Sequence, residues 1–437
     1  MKTWMKGKNI INPWIIKRKT IHTNPVKKIL KQYMFLYFIY FILLILIISF
    51  IFIRLKYRFW AAQPVYHFYD VYYWFVNVGI IRHELPEKNR YTNFKDIETI
   101  LSDKVADVKL TDFIDLIQLN YLRDKENTFI PEKENIMPYF EGHNSPSFFS
   151  FFWQPDVLLD MKTNTTIETK TLIGAITSRP LNVTIYKTNQ GPINFSVFYV
   201  DYLCVKKGFR KKNIAPQLIQ THEYNQSHLN KKISVSLFKR EGELTGIVPL
   251  TAYNTIIFDM KNWTEPPIAL NPKTTLLVGD SQNMYYLNNF LKDLSNNSEK
   301  WDITIVPEMT NLISLVKSKN MYIYMLLTDM EIEAVYIFKK TCTNVEKGKQ
   351  ILHLIASQQS YTISKTLFIQ GFKNALWAIL LDNPSYHYLA AEDISDNKYI
   401  IDNIQQKTHP LSTSPTAYFF YNYARSPFKS DKVFIVN

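Results

Sequence analysis

Residues 199–220 read YVDYLCVKKGFRKKNIAPQLIQ. A hydrophobic run ends in Lys206 and Lys207, turns through Gly208, presents Arg210, Lys211 and Lys212, and enters a helical pattern at about Pro216. Backbone N–H groups at a helix start, flanked by cationic side chains, make a ready site for phosphate groups. Cys204 lies inside the apolar run with no evident His partner, so its reading is packing and not nucleophilic attack.

Other candidate chemistry falls away. Gly279-Asp280-Ser281 follows the apolar run TTLLV and resembles a nucleophile turn. The Asp382 and His387 that might complete a triad have the wrong spacing, and a turn with an N-capping Ser is the simpler reading. No GxxxxGK[ST], GxSxG or HExxH occurs. Nine scattered His and two distant Cys predict no metal site, and two Cys exclude a disulfide scaffold.

The elements that must hold the basic turn read as mixed α/β. Residues 108–122 place Phe113, Leu116, Ile117 and Tyr121 at helical spacing. Residues 171–177 and 195–205 are rich in β-branched and aromatic side chains and predict strands. Ala215, Leu218, Ile219 and His222 mark the inner face of the helix after the turn. Residues 265–274 carry three prolines and predict a crossing between two halves. Beyond it, 321–327 and 334–340 read as strands and 364–381 as a helix, in a three-layer α/β protein. Hydrophobic residues make up 46% of the 437 and aromatics 15%, enough for a large core and against wholesale disorder.

The net charge of +13 is concentrated at one end. No Asp or Glu precedes Asp70, and residues 1–58 hold 12 of the 51 basic residues, so 39 remain against 38 acidic ones. That balance argues against a nucleic-acid surface, which needs basic residues along a folded face. Residues 33–53 are 21 residues without a charge, long enough at about 1.5 Å per residue to cross a bilayer. The expected organisation is a basic arm over 1–32 and a transmembrane helix over 33–53, with the membrane as a partner.

Four blocks, in order, resemble the N-myristoyltransferase family: YRFWAAQPV at 57–65, LIGAITSRPLNVTI at 172–185, YLCVKKGFRKKNIAP at 202–216 and AYFFYNYARSPFKSDKVFIVN at 417–437. The resemblance spans about 57–437 and implies two acetyltransferase-like halves, an acyl-CoA-binding half at 57–264 and a peptide-side half at 275–437. It implies transfer of a myristoyl group from myristoyl-CoA, as substrate and not as a resident cofactor, to an N-terminal glycine amine of a protein or peptide. By the same likeness, the backbone N–H groups of Tyr202 and Leu203 stabilise the thioester oxyanion in a bulged strand. The α-carboxylate of Asn437 acts as base. Arg58, Phe59 and Trp60 line the acyl-CoA site, and Cys204, Val205, Arg210, Lys211, Asn213, Ile214 and Ala215 hold its phosphates and pantetheine.

The chain departs from the family pattern on the acceptor side. Asp201 stands where the family has Asn, Tyr202 where it has Phe, and the acidic loop is reduced to Asp124 and Glu126 around Lys125. Residues 236–254 lack the family's Tyr-Thr-Ala-Gly and Tyr-Trp-His-Arg patterns. Two alternatives therefore stand beside the transferase: an inactive acyl-CoA- or lipid-binding derivative at a membrane, and an acyl-CoA transferase with a different acceptor. Charge flanking the span places the large domain outside the cell, whereas the supply of acyl-CoA and glycine N-termini places it on the cytosolic side, the expectation adopted here.

Overall fold

The computed structural model describes residues 25–76, 78–121, 127–160, 165–186, 188, 191–242, 246–296, 300–346 and 348–437. The loop with Asp124 and Glu126 lies outside them. The chain forms two compact units, 1–63 and 64–437.

In the first unit, helix α1 (Pro25–Lys56) is longer at both ends than the uncharged run, because Lys27, Lys28, Lys31, Arg54 and Lys56 continue its turns. Its segment Leu30–Lys56 is long and apolar enough to cross a membrane, with none of its most apolar stretch buried. A short helical turn, Trp60–Ala62, follows, and the rings of Phe59 and Trp60 meet edge to face at 5.1 Å.

The second unit is built on a sheet of 15 strands among the described residues. Its principal strands are β1 (Phe148–Asp160), β2 (Thr165–Ile185), β3 (Ile193–Val205), β4 (Ser236–Glu241), β5 (Thr251–Asp259), β6 (Thr274–Val278), β7 (Ile303–Val306), β8 (Met321–Thr328), β9 (Glu331–Glu346), β10 (Lys349–Gln359), β11 (Tyr386–Glu392), β12 (Ser412–Tyr421) and β13 (Val433–Ile435). Their order is β13-β7-β2-β3-β4-β12-β5-β11-β10-β9-β8-β6, with β1 also paired to β2. Parallel pairs occur at β3/β4, β10/β11 and β7/β13, and the other principal pairs are antiparallel.

Helices α2 (Asp107–Asn120), α3 (Ile214–Leu229), α4 (Lys365–Asp382) and α5 (Asn397–Gln405) cover the sheet. Helix α2 buries Leu110, Phe113, Leu116 and Ile117, the spacing expected of one helical face. Tyr121 caps it, its N–H bonded to the Ile117 carbonyl at 2.9 Å. Helix α3 buries Leu218 and His222 as expected, but Gln220, Thr221, Glu223, Gln226 and Ser227 are buried with them. A helix with so polar an inner face is fastened by hydrogen bonds more than by apolar area. Its close approach to the sheet depends on Gly174, where a Cβ would stand 2.9 Å from Leu218 Cδ1 and 3.3 Å from the Cys204 carbonyl oxygen.

The Gly279-Asp280-Ser281 turn is held by Asp280, not by Ser281. Asp280 Oδ1 accepts the N–H groups of Gln282 and Asn283 at 2.7 and 2.9 Å. A carboxylate accepts two donors at once where a hydroxyl ordinarily takes one, so the Asp organises the turn.

Candidate functional site

The parallel strands β3 and β4 pair only from Phe198 to Val200 and then part. Beyond that point β3 bulges. Ala175 of β2 pairs with Cys204 and Thr177 with Asp201, so Tyr202 and Leu203 stand opposite the single residue Ile176. Tyr202 absorbs the extra residue with a left-handed φ of 49°, a conformation that costs a non-glycine residue about 1–3 kcal/mol. Its ring is fixed among Phe113 at 5.8 Å, Tyr121 at 5.7 Å and Phe129 at 6.4 Å, which holds the backbone in place. Leu203 is turned outward and 37% exposed. Strand β3 thus bulges at Tyr202 and Leu203.

One of the bulge's two donors is engaged. The Tyr202 N–H is bonded to Asp201 Oδ1 at 2.8 Å, while the Asp201 carbonyl accepts the Thr177 hydroxyl at 3.0 Å. The presence of Asp at 201 therefore has a direct structural effect: its carboxylate occupies a donor that an oxyanion would use.

Past the bulge the chain makes the basic turn. Lys211 and Asn213 both adopt left-handed backbone, φ 64° and 59°, and Asn213 leads into α3. Successive backbone N–H groups in a turn can form an anion-binding concavity. The first-turn N–H groups of Ile214 and Ala215 have no acceptor within the helix, and Pro216 has no N–H to leave unpaired.

A cavity of about 560 Å³ opens there, lined by Asn120, Tyr121, Leu203, Cys204, Val205, Phe209, Arg210, Lys211, Asn213, Ile214, Ala215 and Pro216. Eight of the sequence-predicted residues therefore converge on one pocket: Leu203, Cys204, Val205, Arg210, Lys211, Asn213, Ile214 and Ala215. Tyr202 is beside it, behind the bulge. Arg58, Phe59 and Trp60 belong to the first unit, not to the one that carries the pocket. Asn120 and Tyr121 were missed because their only signal was position at a helix end.

Arg210 lines the pocket and is tied to its wall by two main-chain carbonyls. Its Nη2 donates to the Asn120 carbonyl at 2.7 Å and its Nε to the Val205 carbonyl at 3.2 Å. A cation at the C-terminus of α2 complements that helix's unpaired carbonyls, and Asn120 Oδ1 accepts the Lys207 N–H at 3.0 Å. Arg210 thus braces the pocket wall. Burial pushes the Cys204 thiol up to about 12, consistent with a packed wall and not a nucleophile.

The chain end runs into the core. Strand β13 lies parallel to β7, with Val433, Phe434, Ile435 and Val436 all buried, and Asn437 is only 4% exposed. Lys339 Nζ of β9 donates to the Asn437 main-chain oxygen at 3.3 Å. Burial pulls the Lys339 ammonium down to about 8, with Asp201 among the charges opposing that fall. Nearby, Glu392 binds Lys239 at 2.7 Å, His353 at 3.1 Å and the Tyr253 hydroxyl at 2.6 Å. Burial alone would raise the Glu392 carboxyl, but Lys239 and His353 hold it well below its ordinary range. Among the described residues no cluster of three or more His, Cys, Asp or Glu could hold a metal ion.

Residues 83–239 match the family model described as "Myristoyl-CoA:protein N-myristoyltransferase, N-terminal domain", a stretch that contains the bulge, the turn and α3. Over these residues the chain is similar to the N-myristoyltransferase family. It is 28% identical over 169 residues to a glycylpeptide N-tetradecanoyltransferase of Kluyveromyces lactis, a match over 38% of this chain and only 34% of that relative. The fold is similar to N-myristoyltransferase of Saccharomyces cerevisiae solved with bound myristoyl-CoA, at TM-score 0.63 and 15% identity, over 85% of this chain and 94% of that one. A further structure of the yeast enzyme, with myristoyl-CoA and inhibitors, gives TM-score 0.64 at 16% identity, over 85% of this chain and 91% of that one. The second unit therefore has an N-myristoyltransferase-type mixed α/β fold.

Proposed function

We propose that this protein is a membrane-anchored N-acyltransferase that moves a myristoyl group from myristoyl-CoA to the amine of an N-terminal glycine. Residues 57–264 act as the acyl-CoA half, 275–437 as the acceptor half, and α1 as the anchor, with the catalytic unit facing the cytosol. The observation that carries the reading is the convergence of bulge, left-handed basic turn and helix start on one pocket of about 560 Å³.

In this reading Lys211 and the N–H groups of Ile214 and Ala215 hold the CoA phosphates. The thioester lies over the bulge, where the N–H groups of Tyr202 and Leu203 meet the charge that develops on its carbonyl oxygen. The attacking amine must be neutral, and the α-carboxylate of Asn437, beside Lys339, takes its proton. The amine nitrogen bonds to the carbonyl carbon, the C–S bond breaks, and CoA leaves as the thiol.

The bond from the Tyr202 N–H to Asp201 supports a second reading, acyl-CoA binding without transfer, because that donor is already engaged. One experiment separates them: release of CoA thiol from myristoyl-CoA by the full-length protein in detergent, with Gly-initiated peptides. Peptide-dependent release, increased by Asp201→Asn and abolished by two residues added after Asn437, supports the transferase. Tight myristoyl-CoA binding with no release from wild type or Asp201→Asn supports the second reading. Absence of binding overturns both.

A further inference from the structure

Arg179 lies on β2 opposite Tyr199 of β3, two residues along from the Thr177–Asp201 pair, so it shares a sheet face with Asp201. It is fully buried, at 0% exposure, and Nε, Nη1 and Nη2 all lack a hydrogen-bond partner. The rings of Tyr139 and Tyr199 lie 5.2 and 5.1 Å from its Cζ. Aromatic faces stabilise the charge of a guanidinium but leave its five in-plane N–H donors unanswered. The Tyr139 hydroxyl is likewise buried and unpartnered. Lys339 Nζ stands 4.8 Å from the same Tyr139 ring, so two buried cations share one aromatic wall, and the second of them touches Asn437.

The nearby carboxylates are otherwise engaged. Asp201 accepts the Tyr202 N–H, Glu392 is held by Lys239, His353 and Tyr253, and Glu308 accepts from Asn182 at 3.0 Å. Among the described residues none of them forms an ion pair with Arg179. A forked, water-excluded guanidinium is matched by the two oxygens of a carboxylate. CoA's own anionic groups are provided for at the basic turn, and a thioester carries no carboxylate. The remaining reactant is the acceptor. A lone ammonium would be repelled by Arg179 and Lys339, whereas an amine with an adjacent carboxylate brings the missing charge and places its nitrogen toward Asn437.

We propose that the buried, unpaired Arg179 guanidinium binds a carboxylate, and that the acyl acceptor carries this group close to its reacting amine, as in free glycine or in a peptide with an acidic residue after the glycine. The acceptor assignment rests on the transferase reading; the carboxylate site does not.

Two measurements on the full-length protein in detergent test it. In the first, calorimetry compares N-myristoylglycine with N-myristoylglycinamide, which differ only in the carboxylate. The acid binds at least tenfold tighter to wild type, and Arg179→Leu removes the difference while Arg179→Lys restores part of it. In the second, thiol release from myristoyl-CoA is followed with free glycine against glycinamide, and with Gly-Asp against Gly-Asn peptides. The acid of one pair or both is preferred at least tenfold in kcat/KM, which also identifies the source of the carboxylate. Arg179→Leu abolishes that preference, keeps slow release with the amides, and melts no lower than wild type because it removes an unanswered buried charge. Equal binding of acid and amide, or a preference that survives Arg179→Leu, overturns the carboxylate site. An acid preference in binding without thiol release from any acceptor leaves the site standing and overturns the acceptor assignment together with the transferase reading.

Discussion

The unit 64–437 contains the same local arrangement twice: a strand, a turn, a helix and a second strand parallel to the first. In one copy these are β3, the turn at 206–213, α3 and β4, and in the other β10, the turn at 360–364, α4 and β11. Both parallel pairs come apart before β3 and β10 end. The first pair parts after Val200 and the second after the pairing of Leu354 with Ala391. What fills the resulting gap differs. In the first copy it borders an open pocket with a basic, left-handed turn. In the second, the chain after β11 folds back into the gap: Asp396 Oδ2 accepts the Gln359 N–H at 2.8 Å and Gln358 Nε2 at 2.6 Å, and Asn397 Nδ2 donates to the Glu392 carbonyl at 2.9 Å. Its turn, Ser360 to Ser364, carries no charge of its own, and Glu333 of β9 accepts the hydroxyls of Ser360 and Thr362. One arrangement thus leaves an open pocket where its turn is basic, and is braced internally where carboxylates occupy the same place.

The largest expected effect comes from removing the plug. Asp396 also pairs with Lys300 at 3.1 Å, so Asp396→Ala strands a cation, an amide and a backbone N–H in a nearly closed site. A loss of about 3–5 kcal/mol follows, read by chemical denaturation. Myristoyl-CoA affinity, which the proposed function assigns to the first copy, stays within about twofold for the fraction that remains folded. If the second gap instead gained acyl-CoA binding, the plug would be a gate and the comparison would need redrawing.

Acid should separate the two copies next. Helix α3 is fastened by His222, whose Nδ1 meets Ser150 Oγ and whose Nε2 meets Ser178 Oγ, both at 2.8 Å. Ser178 spends its proton on Gln226, so Nε2 donates to Ser178 and Nδ1 accepts from Ser150, leaving no place for a second ring proton. Burial pulls His222 down to about 3 from 6.5. Between those values the unfolded chain binds the proton and the folded one does not, so stability falls as pH falls, by about 1.4 kcal/mol per unit below 6.5 and about 2 kcal/mol at pH 5. Helix α4, packed through Phe368, Phe372, Ala375 and Leu376, contains no such group. Hydrogen exchange should therefore show α3 losing protection by pH 5 while α4 keeps it, and His222→Gln should flatten that dependence.

These contrasts were only partly legible in the sequence. The strand and helix flanking each turn were readable because Leu, Ile and aromatic residues repeat at helical or strand spacing, and α4 begins with its Ser364 cap where 364–381 was expected. Eight pocket residues were named through the resemblance of the block at 202–216, of which residue type alone gave the contiguous basic turn. Two features were not readable. The internal duplication left no visible repeat, since only one of the two turns is charged and the helices have opposite polarity on their inner faces. Arg179, Lys339 and the Tyr139 ring between them come from distant segments, and a single Arg in LIGAITSRPLNVTI gives no hint that it will be enclosed. Asp201 was noticed as a departure, but its bond to the neighbouring N–H is a matter of backbone geometry that only the bulge reveals.

Charge reversal at the two turns gives the smaller effects. Lys211→Glu places a carboxylate where phosphate is proposed to sit and should weaken myristoyl-CoA binding roughly tenfold, less at high salt because the site is open to solvent. The matching change at the second turn, Lys365→Glu, should leave binding within a factor of about two. Lys365 opens α4, where a positive charge opposes the helix dipole, and its Nζ lies 4.8 Å from the Tyr399 ring. Glu at that position gains a favourable dipole interaction of about 0.3–1 kcal/mol and loses a cation–π contact of similar size. Thermal denaturation should therefore place the variant within about 0.5 kcal/mol of wild type. The same reversal of sign is then harmful at one turn and silent at the other, which requires the first turn to face a ligand. Equal losses of binding at both turns would mean instead that charge acts over the whole surface and that the pocket has no special claim on the phosphate.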